Sequence, residues 1–226
     1  MKLAIISDIH GNLQALESVM KSIENKKVDQ VVCLGDIVGY GANPEECVEL
    51  IRSSGFPTVL GNHDEAATEK GIPEYFNHWA LEAILWSRDR LSKNSKTFLH
   101  NLPFKMEFGD ICLTHASPRK PELWTYLITH GQALPEFQYF SQSVCFIGHS
   151  HFPVVFTESE GSRRIINVGS VGQPRDHDPR SCYGIYDDKS LNFEWVRVEY
   201  DIKCAASAIV NAGLPKFLAN RLMSGT

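Results

Sequence analysis

Three short apolar runs in the first 65 residues each end in polar, chemistry-bearing side chains, and a helical segment separates each run from the next. Leu3 to Ile6 is an apolar run that ends in Ser7-Asp8 and reads as a buried strand. Leu13, Leu16, Val19, Met20 and Ile23 follow at helical spacing, which gives one apolar stripe to lay against a sheet. Val28 to Leu34 is the second strand and stops at Gly35-Asp36. Asn43-Pro44-Glu45-Glu46 reads as a helix start, with a capping side chain, proline in the first turn and acids at the positive end of the dipole. Thr58 to Leu60 is the third run, stopping at Gly61-Asn62-His63-Asp64. Strand, helix, strand, helix, strand requires a parallel sheet with right-handed crossovers, so the fold class is α/β.

Beyond this unit the pattern changes. Residues 66–103 read as a helical insertion, because Phe76, Trp79, Ala80, Ala83, Ile84 and Trp86 recur at helical spacing and a second helical stretch runs to about Leu102. Its aromatic stripe reads first as core and second as the wall of a cleft. From Asp110 onward strands dominate: Ile111 to Leu113, Val144 to Ile147, Val154 to Thr157, Arg164 to Val168, Tyr183 to Tyr186 and Leu191 to Val198. Turns at Glu160-Gly161-Ser162 and Asp187-Asp188-Lys189-Ser190 predict hairpins. Asp201 caps a closing helix through Val210, Gly213 follows its end, and the tail Ser224-Gly225-Thr226 reads as frayed. A length of 226 residues suits one domain over 1–226 that carries the insertion.

Composition narrows the function. A formal net charge of −5 leaves no excess of Lys and Arg for general nucleic-acid binding. A small phosphorylated substrate is still allowed, since bound metals would supply local positive charge. The six cysteines lack paired spacing, which argues against a disulfide framework or a zinc ribbon. The amino-terminal apolar run is too short for a signal peptide, and no stretch approaches the ~20 apolar residues of a membrane span. The expected location is the cytoplasm.

The residues at the ends of the apolar runs form a set. Asp8 and His10 follow the first, Asp36 the second, Asn62, His63 and Asp64 the third. His115 follows Ile111 to Leu113, and His149 and His151 follow Val144 to Ile147. Ligands in open α/β sheets gather outside the carboxyl ends of strands, so five segments aim carboxylate, imidazole or amide groups at one edge. Taken singly each motif is weak, although two histidines two residues apart in a strand-like segment share one side. His78, His100 and His130 read as ordinary surface or core histidines.

Asp8-x-His10, Gly35-Asp36, Gly61-Asn62-His63-Asp64, His115 and Gly148-His149-x-His151, in this order, closely resemble the calcineurin-like metallophosphoesterase family. The resemblance covers about residues 1–175. Within the family it points to the small bacterial and archaeal phosphodiesterase-like branch, including the segment Asn167-Val168-Gly169-Ser170. It implies an α+β sandwich of two facing mixed β-sheets flanked by helices. It also implies two divalent metal ions, manganese first, with iron, nickel, zinc, cobalt and magnesium as alternatives. Asp8, His10 and His151 would hold one, Asn62, His115 and His149 the other, and Asp36 would bridge them. Such a pair clamps a phosphate and activates a bridging water as hydroxide. His63 would then serve as general acid or steady the leaving oxygen, with Asp64 orienting it.

Arg175 reads either as a phosphate clamp or as a surface arginine beside acids. Asn12 either reaches substrate or caps the first helix. The phosphoprotein phosphatases of this superfamily continue the Gly-Asp motif with an Asp-Arg pair. Here Gly39-Tyr40 falls in that stretch, which points away from phosphoproteins and toward phosphodiesters or small phosphorylated metabolites. The rival expectations are a phosphomonoesterase or phosphoprotein phosphatase, and a non-catalytic scaffold on the same fold.

Overall fold

The computed structural model describes residues 1–68, 76–158, 161 and 163–226. The expected alternation is present at the amino terminus: β1 (Lys2–Ile6), α1 (Leu13–Glu24), β2 (Gln30–Cys33) and α2 (Pro44–Ser54). Helices α3 (Asn62–Ala67), α4 (His78–Arg90) and α5 (Lys93–His100) follow. Residues 69–75 of the expected insertion lie outside the described residues. Then come β3 (Lys105–Phe108), β4 (Ile111–Thr114), the short α6 (His130–Ala133), β5 (Val144–Ile147), β6 (Val154–Thr157) and β7 (Arg164–Asn167). The chain finishes with β8 (Ser181–Asp187), β9 (Asn192–Val198), α7 (Ile202–Asn211) and α8 (Lys216–Ser224).

The strands form two mixed sheets, one in the order β2-β1-β8-β9 and one in the order β3-β4-β5-β7-β6. In the first, β1 runs parallel to β2 and antiparallel to β8. In the second, β4, β5 and β7 are mutually parallel while β3 and β6 close the edges antiparallel. Period-two alternation explains why the apolar runs are continuous. Leu3 and Ile5 of β1 pack with Leu113, Val144, Phe146 and Ile166 between the sheets. Ala4 and Ile6 face the other way, onto Leu16, Val19, Val48 and Ile51 of α1 and α2. Each central strand is therefore buried on both faces.

Local chemistry sets the helix starts. Asn12 caps α1 by accepting from Ala15 N at 3.2 Å, and Asp201 caps α7 by accepting from Cys204 N at 2.8 Å. Asn43 precedes α2 as expected but makes no side-chain cap; Pro44 fills the first position.

Several expectations need correction. The third apolar run makes only a single parallel bridge, Cys33 to Thr58. Pro57 brings no N–H to a ladder, and Gly61 must turn the chain into α3 directly after Leu60. Strand β3 was not expected, because Lys105 and Glu107 break its apolar character at a sheet edge. Helix α8 was also unexpected, and it anchors the tail: Gly225 is buried and its carbonyl accepts from His177 N at 2.8 Å. The β8–β9 hairpin turns through 188–191 as expected. The β6–β7 hairpin pairs as expected, although Glu160 and Ser162 of its turn lie outside the described residues.

Candidate metal centre

The carboxyl ends of β1, β2, β4 and β5 meet where the two sheets come together, and loop-to-loop hydrogen bonds fix them there. Asp8 N donates to Gly35 O at 3.0 Å and His10 N to Asp36 O at 2.9 Å, which joins the loops after β1 and β2. Across the sheets, Val171 N donates to Ser7 O at 2.9 Å and Gly172 N to Asp8 O at 2.9 Å. The Asn167–Ser170 segment has a structural part in this joint. Asn167 Nδ2 donates to Ser150 Oγ at 2.9 Å, and Ser170 Oγ donates to Asp8 O at 2.8 Å.

Five of the candidate ligand residues are strained. Asp8, His10, Asp36, His149 and His151 all lie in the left-handed region, with φ between 52° and 66°. That region disfavours L-residues by roughly 1–2 kcal/mol each, and such outliers cluster at functional sites.

Asp8, His10, Asp36, Asn62, His63, His115, His149 and His151 are all brought together, each at most 5% exposed. Two groups of metal-ligand geometry result, Asp8-His10-His151 and Asp36-His115-His149, in each of which the donor atoms lie within 4.8 Å of one another. Asp36 stands between them: its Oδ2 is 3.6 Å from His10 Nε2 and 3.3 Å from His115 Nε2. His63 forms a third such group with His10 and Asp36.

The outer contacts of the imidazoles select the ligating tautomer. His10, His115 and His151 place Nδ1 on the carbonyls of Val38, Leu34 and Gln173 at 3.1, 2.8 and 2.6 Å. Donation from Nδ1 turns the Nε2 lone pair toward the centre, the arrangement typical of metal-bound histidine. Asn62 Oδ1, His115 Nε2 and His149 Nε2 are buried with no hydrogen-bond partner. Buried polar atoms of this kind are rare and need an explanation. Oxygen and imidazole donors around two carboxylates suit borderline divalent metals, so the residues present fit the ions that the motifs imply.

The electrostatics agree. Burial lowers His10 and His151, and it pushes His63 down to about 4 and His149 down to about 3, leaving these rings neutral. His115 is the exception: burial opposes its charge, but Asp36 and Asp8 outweigh burial and lift it to about 9. Burial alone would raise Asp8 and Asp36, yet His151 for the first and His115 for the second hold both carboxyls below the usual range.

Asp64 does not meet the His63 ring. Its Oδ1 accepts from Ile37 N at 2.8 Å and Val38 N at 3.1 Å, and its Oδ2 from Gly61 N at 3.2 Å. Its carboxylate thus ties the β2 loop to the start of α3, and burial, with Asp36 adding to it, raises Asp64 to about 7. The His63 ring is set by packing against His10, Tyr40 and Phe76, with centroids 4.7, 4.6 and 4.9 Å away. Gly39, at φ +91°, makes room for it: a Cβ there would lie 2.3 Å from His63 Nδ1.

Asn12 is the helix cap, and its Nδ2 is engaged by Gly172 O at 2.8 Å and Tyr200 Oη at 3.3 Å. Arg175 reaches the site, since its charge bears on His63 and His151. His78, His100 and His130 are exposed.

A cleft of about 300 Å³ adjoins the centre. Asn62, His63 and His149 line its polar side, and Tyr40, Phe76, Trp124 and Tyr126 its aromatic side. The expected aromatic stripe therefore divides: Phe76 walls the cleft, Trp79 stacks on Phe217 with centroids 5.4 Å apart, and Trp86 Nε1 donates to Ala212 O at 3.1 Å. Sequence reasoning missed Trp124 and Tyr126. They sit in a loop without periodicity, and tertiary contacts reveal their place: the Tyr126 ring stacks on His149 at 3.9 Å and the Trp124 ring meets His115 at 5.9 Å.

Carboxylates and histidines converging at the joint of two facing mixed sheets define the class of metallophosphoesterases. The profile of the calcineurin-like phosphoesterase superfamily domain matches residues 1–190, and the chain belongs to that superfamily. It is 42% identical to an uncharacterised protein of Methanocaldococcus jannaschii, across 99% of this chain and 98% of that one. A metallophosphoesterase from Sphaerobacter thermophilus superposes with a TM-score of 0.90 at 38% identity, covering 100% of this chain and 99% of the other. The phosphodiesterase YfcE of Escherichia coli is 27% identical over 85% of this chain and 90% of its own length. The chain is thus a metal-dependent phosphoesterase by family. Among the described residues no helix is long and apolar enough to cross a membrane.

Proposed function

We propose that this protein hydrolyses phosphodiesters or small phosphorylated metabolites at a centre of two divalent metal ions. The observation that carries the reading is the set of buried, partnerless donor atoms, Asn62 Oδ1, His115 Nε2 and His149 Nε2, gathered with Asp36 beside the Asp8-His10-His151 group. Ions held there supply Lewis-acid charge and a nucleophilic water at neutral pH. Asp36 is the bridging ligand in this reading, because it lies against histidines of both groups.

The protein's own groups do the rest. Burial keeps His63 neutral at neutral pH. Its Nδ1 is enclosed beside Gly39, so Nε2 is left to the cleft and donates a hydrogen bond to the leaving oxygen. The aromatic side of the cleft takes the organic part of the ester. Gly39-Tyr40 replaces the Asp-Arg pair of the phosphoprotein enzymes. A diester carries one negative charge where a monoester carries nearly two, so it depends less on that missing arginine. The diester naming of the Escherichia coli relative supports the same preference.

The test is hydrolysis of chromogenic diesters, monoesters and nucleotides with added Mn²⁺, Ni²⁺, Co²⁺, Zn²⁺ or Mg²⁺. Metal-dependent diester turnover that a chelator abolishes is expected. Absence of turnover with every metal would overturn the reading and favour a scaffold.

A further inference from the structure

Two arginines near the metal centre are left over once the candidate ligands are assigned. Arg175 lies in the loop before β8. Its Nη2 donates to Gln173 Oε1 at 3.1 Å, and its Nε is buried without an acceptor. Arg221 comes from α8, beyond the residues that the superfamily profile matches. Its Nε donates to Thr226 O at 2.5 Å, and neither of its Nη groups meets an acceptor among the described residues.

Both guanidinium groups flank one ring. Arg175 Cζ lies 5.9 Å and Arg221 Cζ 6.0 Å from the Tyr40 centroid, and Tyr40 in turn meets His63. No aspartate or glutamate side chain pairs with either arginine among the described residues, whereas Arg52, Arg163, Arg180 and Arg197 all have acidic partners. Burial, and then the charge of Arg175, makes Arg221 less basic than usual. Contact with a ring face at about 6 Å offsets little of this, on the order of 0.5–1 kcal/mol. Like charges kept together without an acidic side chain, and with N–H donors to spare, match an oxyanion that accepts hydrogen bonds from both guanidinium groups.

We propose that Arg175 and Arg221 form a second oxyanion subsite, which holds a non-scissile phosphate of a substrate whose scissile ester lies against Asn62, His63 and His149. The preferred substrate is then a diester that carries a second phosphoryl group. This rests on the phosphodiesterase reading above and adds the class of substrate to it. The Arg221 half of the subsite is supplied by α8, which carries none of the candidate metal ligands.

Two measurements test it. The first compares the p-nitrophenyl ester of thymidine 5′-phosphate with the same ester bearing a 3′-phosphate, under one metal and pH. The wild type favours the second substrate. Arg221→Gln lowers kcat/KM for it at least tenfold more than for the first, chiefly through KM, and Arg221→Lys restores part of the loss. The second measurement titrates sulfate into metal-free protein and follows the arginine Nε–Hε resonances by NMR. The Arg175 and Arg221 signals move together in the wild type, and the Arg175 shift is lost in Arg221→Gln. Equal losses on both substrates, or sulfate that leaves both signals in place, would overturn the subsite. Sulfate shifts without turnover of either ester would support the subsite and overturn the phosphodiesterase reading.

Discussion

Gly39→Ala isolates the contribution of His63 without touching a metal ligand. An added Cβ would stand 2.3 Å from His63 Nδ1 and 3.1 Å from its Cγ. Tyr40, Phe76 and His10 pack around the ring, so it can retreat only toward the cleft, away from its place beside the centre. Restoring ordinary contact moves the imidazole by about 1 Å, and a misplacement of that size can lower a rate about 10²-fold. The backbone adds strain, since φ is +91° and an L-residue there is disfavoured by roughly 1–2 kcal/mol. For a chain of this size that corresponds to a fall in Tm of roughly 2–8 °C, so the variant folds and can be assayed. His63→Ala alone should lower kcat about 10²–10⁴-fold with metal content unchanged. In the His63→Ala background Gly39→Ala should then lower the rate by less than about threefold, the non-additivity expected of residues in contact. The assay is kcat/KM on an aryl diester with elemental analysis of each variant. Gly39→Ala that keeps more than a third of the wild-type rate would refute the argument, as would an equal loss in both backgrounds.

Other expectations follow from the same geometry. Elemental analysis at saturation should give two ions per chain, with Asp36→Asn weakening both and Asp8→Asn mainly one; a stable maximum of one ion would end the dinuclear reading. Metal-free protein should lose thermal stability as pH rises from about 6.5 to about 9. Folded His115 keeps its proton up to about 9, while the unfolded imidazole releases it near ~6.5, so the stabilisation is complete below the lower value and lost through the higher one. His115→Gln should shrink that fall, and an unchanged slope would contradict the assignment. Asp64→Ala strands the amides of Ile37, Val38 and Gly61, so stability, metal affinity and rate should decline together. A rate loss with intact stability and metal content would instead place Asp64 on His63 directly. Comparison of kcat/KM for an aryl diester, its monoester and a phosphopeptide should favour the diester, and a phosphopeptide advantage over both would reverse the substrate reading.

Runs that are buried on both faces were legible as strands because nothing polar interrupts them. Val144–Ile147 has the expected bounds and is buried throughout, and the edge strand Val154–Thr157 also has the expected bounds although Val155 is exposed. The candidate ligand residues stand out as the polar groups that end such runs. Two elements were not legible: β3 is nowhere fully buried and exposes Glu107, and α8 presents a mixed surface in which Phe217 and Met223 stay exposed. Thr58–Leu60 failed for a different reason, since a proline before it and a forced turn after it leave one bridge. The aromatic wall at Trp124 and Tyr126 and the approach of Arg221 depend on tertiary contacts between distant segments. No local pattern announces such contacts.

Asp8 shows why centre and fold are one problem here. Its carbonyl accepts from Ser170 Oγ and Gly172 N, and its carboxylate accepts from His149 N at 3.1–3.2 Å, so a single residue of the first sheet is gripped by two loops of the second. The same carboxylate faces His151 Nε2 at 3.2 Å. Five left-handed candidate ligand residues raise the energy of these loops, and the hydrogen bonds between sheets hold them in place. Without bound ions, the buried charge of Asp8 and Asp36 is balanced mainly by protonated His115. In the proposed reading, ions held by Asp36 and the histidines would take the place of that proton and tie the two sheets together. They therefore stabilise the folded state by RT ln(1 + [L]/Kd), about 2.7 kcal/mol at a hundredfold excess over Kd. Because Asp8 both joins the sheets and serves as a candidate ligand, Asp8→Asn should reduce the metal-induced rise in Tm and the metal-free Tm together. Asn62→Ala removes a donor whose Oδ1 has no partner in the fold, so it should reduce the metal-induced rise alone. Equal metal-free losses for the two variants, measured by calorimetry with and without chelator, would show that Asp8 is not the joint described.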